Sequence, residues 1–387
     1  MPWKETCHVN ERLKFVARLQ DGERMKDVCE AFGISRKTGH KLWKRYQERG
    51  VEALYDQSRA PRRIPHRTPP ETRKLVIDAK KKHPTWGPKK IRAWLETKAP
   101  GVRLPAPSTI GGILKEEGLV KPRKRRRQSA SAKPTVLMKP SAPNQLWCAD
   151  FKGQFRLGNG AYCYPLTITD AYSRYLIACV ALDGTKSGPA QAVFEEAFAQ
   201  YGLPQSIRTD NGVPFATKGL AGLSELSAWW IRLGISPERI EPGHPEQNGR
   251  HERMHLTLKK ETTRPAGANM LQQQERFDRF REEFNGERPH EALGQRPPSS
   301  EYKPSERSLE EALREPDYPL HDVVATVSTT GSVWLPGRKC HYVAKALAGH
   351  PLGLRELDDG RWHVHFMDLE LGHLDDEVGF DPLAGLR

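Results

Sequence analysis

Leu146-Trp147-Cys148-Ala149-Asp150 is the stretch from which the rest of the chain is read. Four consecutive apolar residues read as a buried strand, and the acid that follows sits at the strand's end. A second strand, Ser206-Ile207-Arg208-Thr209, also runs into an acid, Asp210, and then into the turn pair Asn211-Gly212. A third acid, Glu252, lies in Pro245-Glu246-Gln247-Asn248-Gly249-Arg250-His251-Glu252-Arg253, which continues through Met254, Leu256 and Leu258 as the first turns of a helix. Two strand-end aspartates and one helical glutamate can converge on a pair of divalent ions. Hard oxygen donors suit Mg²⁺ or Mn²⁺, and two such ions can activate an attacking oxygen and stabilise a leaving one in phosphoryl displacement. Taken singly each acid has a plainer role, because the chain holds 48 Asp plus Glu and most of those are solvated surface.

The combination is more specific. Trp147-x-x-Asp150, Thr209-Asp210-Asn211-Gly212, Pro242-Gly243-x-Pro245, Asn248-Gly249-Arg250-His251-Glu252-Arg253, Thr257-Leu258-Lys259 and Arg288-Pro289-His290-Glu291-Ala292-Leu293 resemble the motifs of insertion-sequence transposases that share a catalytic core with retroviral integrases. The resemblance covers nearly the whole chain. It implies an RNase H-like fold, a D,D,E triad of Asp150, Asp210 and Glu252 that is both catalytic and metal-binding, and N-terminal helix-turn-helix domains. The 41 residues between Asp210 and Glu252 exceed the commonest spacing in the group, with the extra length around Leu220 to Leu233. Glu246, also near the helix start, competes for the third position. Asp170, in Asp170-Ala171-Tyr172-Ser173, is a fourth strand-end acid, expected to act as a turn former and hydrogen-bond acceptor.

Charge is divided unevenly. Residues 1–144 hold 35 Lys plus Arg against 14 Asp plus Glu, whereas the remainder holds 27 against 34. A basic block of this size predicts a polyanion partner bound by counterion release. Double-stranded DNA is favoured over a membrane surface, since there is no long apolar run, signal peptide or lipidation motif. The six cysteines lack Cys-x-x-Cys spacing and read as small buried hydrophobes of a reducing cytosol. Cys7, His8, Cys29 and His40 lack the paired spacing of a structural zinc module, and none is expected.

In chain order, residues 1–56 read as a helix-turn-helix domain. Asn10 is a candidate cap for a first helix with Leu13, Val16 and Ala17 inward. A second helix has Met25, Val28, Cys29 and Phe32 on one face, and Ser35 caps a third with Gly39, Leu42, Trp43 and Tyr46 inward. Arg36, Lys37, His40, Lys41, Lys44 and Arg45 then face outward, as on a recognition helix for the major groove. Residues 57–70 are an Arg/Pro linker whose Arg62 and Arg63 suit a DNA-tracking arm. Residues 71–120 read as a second helical unit, with Leu75, Val76, Ala79, Trp94 and Leu95 inward and Ser108 capping its last helix; the resemblance implies that it is a second helix-turn-helix domain, in which Lys89 and Lys90 are expected to contact DNA. Residues 121–144 form a flexible basic linker containing Arg123, Lys124, Arg125, Arg126 and Arg127.

The core spans 145–305. Strands near 145–155, 162–169, 174–182, 205–209 and 238–241, with helices near 187–200 and 220–233, suit a mixed five-stranded α/β sheet. Around its acids, Lys259 is placed to touch the DNA backbone. Asn211 shapes the loop or orients DNA, and Arg250 and Arg253 hold phosphates or stand at the rim. Residues 320–387 read as short strands of a small β-barrel, with Asp359-Gly360 as a hairpin turn. The function expected from these features is metal-dependent DNA cleavage and strand transfer at the terminal inverted repeats of a mobile element. The protein would act in the cytoplasm at the bacterial nucleoid, with two Mg²⁺ or Mn²⁺ ions per site and self-association to at least a dimer. A simple metal-dependent nuclease and a non-catalytic DNA-binding regulator are the alternatives.

Overall fold

The structure is a computed structural model that describes residues 7–56, 67–120, 137–335, 340–375 and 377–383. Arg62, Arg63 and the basic run Arg123 to Arg127 lie outside the described residues. The chain separates into two compact units, residues 1–67 and 68–387.

The first unit holds three helices: α1 (His8–Gln20), α2 (Met25–Ala31) and α3 (Arg36–Arg49). Its core is Phe15, Val16, Val28, Cys29 and Leu54, with Met25, Phe32, Leu42, Trp43 and Tyr46 packed around them. Ser35 caps α3 as expected, accepting a hydrogen bond from the Thr38 amide at 3.2 Å. Gly39 is where α3 crosses α2, since a Cβ there would lie 2.4 Å from the Cys29 sulfur. Two expectations fail in α1. The helix begins at His8 rather than after Asn10, and Phe15 takes the inward place assigned to Ala17, which is exposed, because the larger ring fills the space above Phe32. Arg45, expected outward, turns onto the following 3-10 turn and donates to the Ala53 carbonyl at 2.5 Å.

The second unit opens with α4 (Pro70–Lys82), α5 (Pro88–Lys98) and α6 (Pro107–Glu116), packed around Val76, Ala79, Trp86, Ile91, Leu95, Ile110, Ile113 and Leu114. Each begins with proline inside its first turn, where the missing N–H is no loss. For α6 that replaces the cap expected from Ser108. Leu75 is exposed rather than inward.

The central sheet comprises β1 (Leu146–Phe151), β2 (Phe155–Arg156), β3 (Tyr162–Asp170), β4 (Leu176–Leu182), β5 (Ser206–Thr209) and β6 (Ser236–Arg239). The order β4-β3-β1-β5-β6 is the expected mixed five-stranded sheet, with β2 as an added two-residue strand on β3. β1 runs antiparallel to β3 and parallel to β5. Side chains alternate across β1, so that Trp147 and Ala149 face one side of the sheet and Asp150 the other.

 Trp147 and Ala149 lie in a core with Ile168, Ile207 and the helices α7 (Ser187–Tyr201) and α8 (Glu225–Arg232). The opposite face is covered by α9 (Gly249–Thr262) and α10 (Met270–Gly286), through Met254, Leu258, Phe277, Phe280 and Phe284 packed on Cys163, Leu176 and Cys179. Within the expected helix near 220–233, a 3-10 turn at Leu220–Gly222 comes first, and α8 starts only after the Ser224 capping box.

Beyond the core, β7 (Val323–Thr326), β8 (Ser332–Trp334), β9 (Cys340–Tyr342), β10 (Pro351–Glu356), β11 (Trp362–Phe366), β12 (Leu369–Asp375) and β13 (Gly379–Pro382) form the C-terminal module. Its main sheet is antiparallel in the order β13-β12-β11-β10-β7, and β8 pairs only with β9. Among the described residues the ladder is therefore open at β7 and β13, where a closed barrel was expected. The β8–β9 hairpin lies beside both edges, β8 next to β7 and β9 next to β13, but forms its backbone ladder only with itself. The module packs its Val333, Leu352, Val364 and Phe366 side against Leu223 and Ala228.

The second helical module is docked on the core by specific contacts. The Arg288 guanidinium pairs with Glu261 at 2.9 Å and lies over the Trp86 ring. His83 meets Glu283 at 2.7 Å, and Lys82 and Lys98 both approach Glu287. Arg288 is 7% exposed, so truncating it strands Glu261 in a poorly solvated site. Arg288→Ala is expected to destabilise this docking by about 3 kcal/mol. Limited proteolysis should then cut within residues 68–120 faster than in the parent protein, and unchanged cleavage there would count against this role.

Candidate active site

The parallel pairing of β1 and β5 places Cys148 opposite Arg208. Two residues further along the same register bring Asp150 level with Asp210, at the ends of neighbouring strands. Asp210 is half-buried, and the Gly212 amide donates to its carboxylate at 3.1 Å. A Cβ on Gly212 would press on that carboxylate at 3.1 Å, so the turn uses glycine for close approach. Glu252 sits in the first turn of α9, where the helix dipole favours an anion, and is exposed.

Electrostatics tie the three together. Burial first, and then the charges of Asp210 and Glu252, push the Asp150 carboxyl up to about 7, against Lys152 and a hydrogen bond from the Phe151 backbone. Glu246 is not among the charges acting on Asp150. It is exposed and bonded to His244 at 2.8 Å, which holds its carboxyl below the usual range. Asp170 behaves as expected of a turn acid: its carboxylate accepts from the Asn144 amide at 2.8 Å and from the Ser173 amide and hydroxyl at 2.6 Å each.

Beneath Asp150 lies a buried polar cluster that the sequence reading missed. Thr167 pairs with Asp150 across β3 and β1, so both side chains share the face under α9. There the Thr167 hydroxyl meets the Asp150 carbonyl at 3.1 Å, His251 Nε2 at 2.8 Å and His255 Nε2 at 2.7 Å. His251 Nδ1 meets the Thr169 hydroxyl at 2.8 Å, and His255 Nδ1 stands 3.6 Å from Asp150 Oδ2. Burial holds both imidazoles in the neutral form, His251 down to about 3. The available signal was the spacing of His251 and His255 by one helical turn and of Thr167 and Thr169 by one strand repeat.

The basic residues assigned to DNA divide by exposure. Arg36, Lys37, His40, Lys41 and Lys44 on α3, and Arg253 and Lys259 on α9, are exposed. Lys89 is exposed but paired with Glu291 at 2.6 Å. Lys90 is not available: it donates to the Pro289 carbonyl, and burial pushes its ammonium down to about 7. Asn211 is exposed and donates to the Ile240 carbonyl at 2.7 Å, which fits the expected loop-shaping role. Arg250 points toward the Ala171 carbonyl and lines a pocket of about 390 Å³ with Tyr172, Arg174, Arg296 and Glu301. No helix of the described residues is long and apolar enough to cross a membrane.

With this geometry in place, the known proteins that the chain matches can be named. Two integrase core domain families match residues 140–245 and 233–298, a homeodomain-like domain family matches 38–114, and a helix-turn-helix domain family matches 11–62. The chain thus carries an integrase core domain behind N-terminal helix-turn-helix domains. Its relatives are insertion-element proteins. One is the 31.7 kDa protein of insertion element IS407 from Burkholderia multivorans, 27% identical over 188 residues that make up 48% of this chain and 65% of the relative. Another is the 39.2 kDa protein of IS476 from Xanthomonas euvesicatoria, 28% identical over 188 residues, covering 48% of this chain and 52% of the relative. The chain therefore spans less than two thirds of either relative. Among solved structures, the HTLV-2 integrase catalytic core domain in complex with magnesium (trimeric form) aligns with a TM-score of 0.34 and 15% identity, over 42% of this chain and 99% of that one.

The raised Asp150 pKa has a consequence for stability. The native state holds this proton more tightly than the unfolded chain, so its contribution is complete below about pH 4 and is lost as pH rises toward 7. Without divalent metal at pH 8, Asp150→Asn should be the more stable protein, by on the order of a few kcal/mol. Thermal melts in EDTA check this, and the advantage should vanish below about pH 4. An equal gap at both pH values would show that charge burial is not its source.

Proposed function

We propose that the chain is a DNA transposase that binds the terminal inverted repeats of a mobile element and carries out metal-dependent strand cleavage and strand transfer. The observation that carries this reading is the electrostatic convergence of Asp210 and Glu252 on the half-buried Asp150 carboxylate, within an integrase core. A cluster of carboxylates suits divalent cations, and Asp150, Asp210 and Glu252 are the residues that would hold two Mg²⁺ or Mn²⁺ ions. Bound there, the ions would supply Lewis-acid activation of the attacking oxygen and charge stabilisation of the leaving one.

The chain's own residues do the remaining work. Asp150 and Asp210 are held rigidly by the pairing of β1 with β5, and Glu252 is free to adjust on the exposed side of α9. Water would attack the phosphodiester at the element end and break its P–O3′ bond, leaving a 3′-hydroxyl; that hydroxyl would then attack a target phosphodiester, form the new P–O bond and displace the target strand's 3′-hydroxyl. No covalent enzyme intermediate is needed. The exposed row Arg36, Lys37, His40, Lys41 and Lys44 presents a basic helix to the major groove. Arg253 and Lys259 would hold DNA backbone beside the acids. Joining two ends requires at least a dimer, and the C-terminal strands, which we read as a barrel-like module, would contact DNA or a second subunit. A nuclease would present the same acids, and a non-catalytic regulator the same helices.

The deciding assay incubates the protein with labelled element ends, a target plasmid and Mg²⁺ or Mn²⁺. Joined products are expected, and Glu252→Gln should reduce joining by at least about a hundredfold, the scale of losing a strong transition-state interaction. Cleavage alone would make the protein a nuclease, and binding alone a regulator. Loss of joining in Glu246→Gln but not in Glu252→Gln would move the third acid to Glu246.

A further inference from the structure

The cluster under Asp150 fixes where its protons lie. The Thr167 hydroxyl has one hydrogen and two lone pairs, and it touches three groups. The Asp150 carbonyl can only accept, so satisfying all three contacts requires the hydroxyl to donate to that carbonyl while both Nε2 atoms donate to the hydroxyl oxygen. His251 Nδ1 then accepts from Thr169, and both nitrogens of that ring are used. His255 is left with an unprotonated Nδ1 whose lone pair faces Asp150 Oδ2 at 3.6 Å.

Two electron-pair donors facing each other need something positive between them. A shared proton would draw the pair to about 2.7–3.0 Å, well inside the observed separation. A common metal ion would not. Donors about 2.1 Å from one ion and 3.6 Å apart subtend an angle of about 120° at it, within the range of four- and five-coordinate sites. Asp150, His251 and His255 are also the group of potential ligands that lie within 4.8 Å of one another, and the use of both His251 nitrogens by threonines removes that residue from the set.

We infer that His255 Nδ1 is a direct ligand, with Asp150, of one divalent ion in the proposed catalytic centre, and that this nitrogen makes the position favour Mn²⁺ over Mg²⁺. An imidazole donor suits transition metals, whereas Mg²⁺ takes oxygen ligands and water. Thr167 is the positioning residue: by accepting the Nε2 proton it fixes the tautomer and aims Nδ1 at the carboxylate, the usual role of a group hydrogen-bonded behind a metal-binding histidine. The inference rests on the reading of Asp150 as a metal ligand.

The test uses the full chain with Mn²⁺ alone and needs no DNA. Pulsed electron paramagnetic resonance of bound Mn²⁺ should show ¹⁴N modulation from a coordinated imidazole. That modulation should disappear when the protein is labelled with [¹⁵N]histidine, a change that leaves folding untouched, and also in His255→Ala and Asp150→Asn. Calorimetric titration should show Mn²⁺ affinity falling at least about tenfold in His255→Ala, with Mg²⁺ affinity changing much less. Mn²⁺ that binds in an Asp150-dependent way without ¹⁴N modulation overturns the inference and leaves the carboxylate site standing. Modulation that persists in Asp150→Asn places the nitrogen elsewhere and also overturns it. Mn²⁺ binding that ignores Asp150→Asn overturns the carboxylate reading beneath it.

Discussion

Asp150 is an acid that the fold buries beside two other acids, with Lys152 as the opposing charge. Desolvation and like-charge repulsion both work against its ionised form, and the rest of the core can be understood as what holds it there. Large aromatic side chains, Trp147, Phe194, Phe198 and Trp230, fill the opposite face of the sheet and fix the pleat of β1. A slip of one residue along β1 would turn Asp150 into that apolar layer and bring Ala149 under α9. Stability is thus spent at a single point so that a charged group can stand where a ligand would relieve it.

Much of this was legible in the sequence because strands advertise themselves through runs of apolar residues. Leu146 to Ala149 and Ser206 to Thr209 placed the two aspartates correctly, and the Asn248-Gly249 step placed the start of the glutamate's helix. The imidazole cluster was not legible for a specific reason. Thr167 and Thr169 are ordinary strand formers, and nothing local reveals that their hydroxyls face a helix more than eighty residues away. α9 is turned so that Met254, His255 and Leu258 go inward while Glu252 stays out. Glu252 lies at the edge of the buried face, where an acid stays open to solvent.

The same limit applies to the basic residues. Sequence reading counts a lysine or arginine as outward unless a partner is known, and partners here come from distant elements. Arg45 closes on the carbonyl of Ala53, and Lys90 on that of Pro289, both backbone acceptors that carry no sequence signature. The open C-terminal ladder is a related case. Short strands and turns were identifiable, whereas the pairing of β8 with β9 alone depends on backbone geometry that side-chain alternation does not encode.

These partners change what the charge asymmetry means. The positive excess of residues 1–144 was assigned wholly to nucleic acid, yet Lys82, His83, Lys89 and Lys98 face Glu283, Glu287 and Glu291 of the core. Part of the basic front and part of the acidic remainder are therefore complementary halves of one contact inside residues 68–387. The exposed lysine pairs contribute little to stability individually, and the burial of His83, Trp86 and Arg288 carries more of it. What the pairs do is set register, since like charges at the same positions would disfavour the docked arrangement. On α3, by contrast, Arg36, Lys37, His40 and Lys41 are exposed and have no acidic partner among the described residues, so the proposed DNA contact would rest more heavily on them.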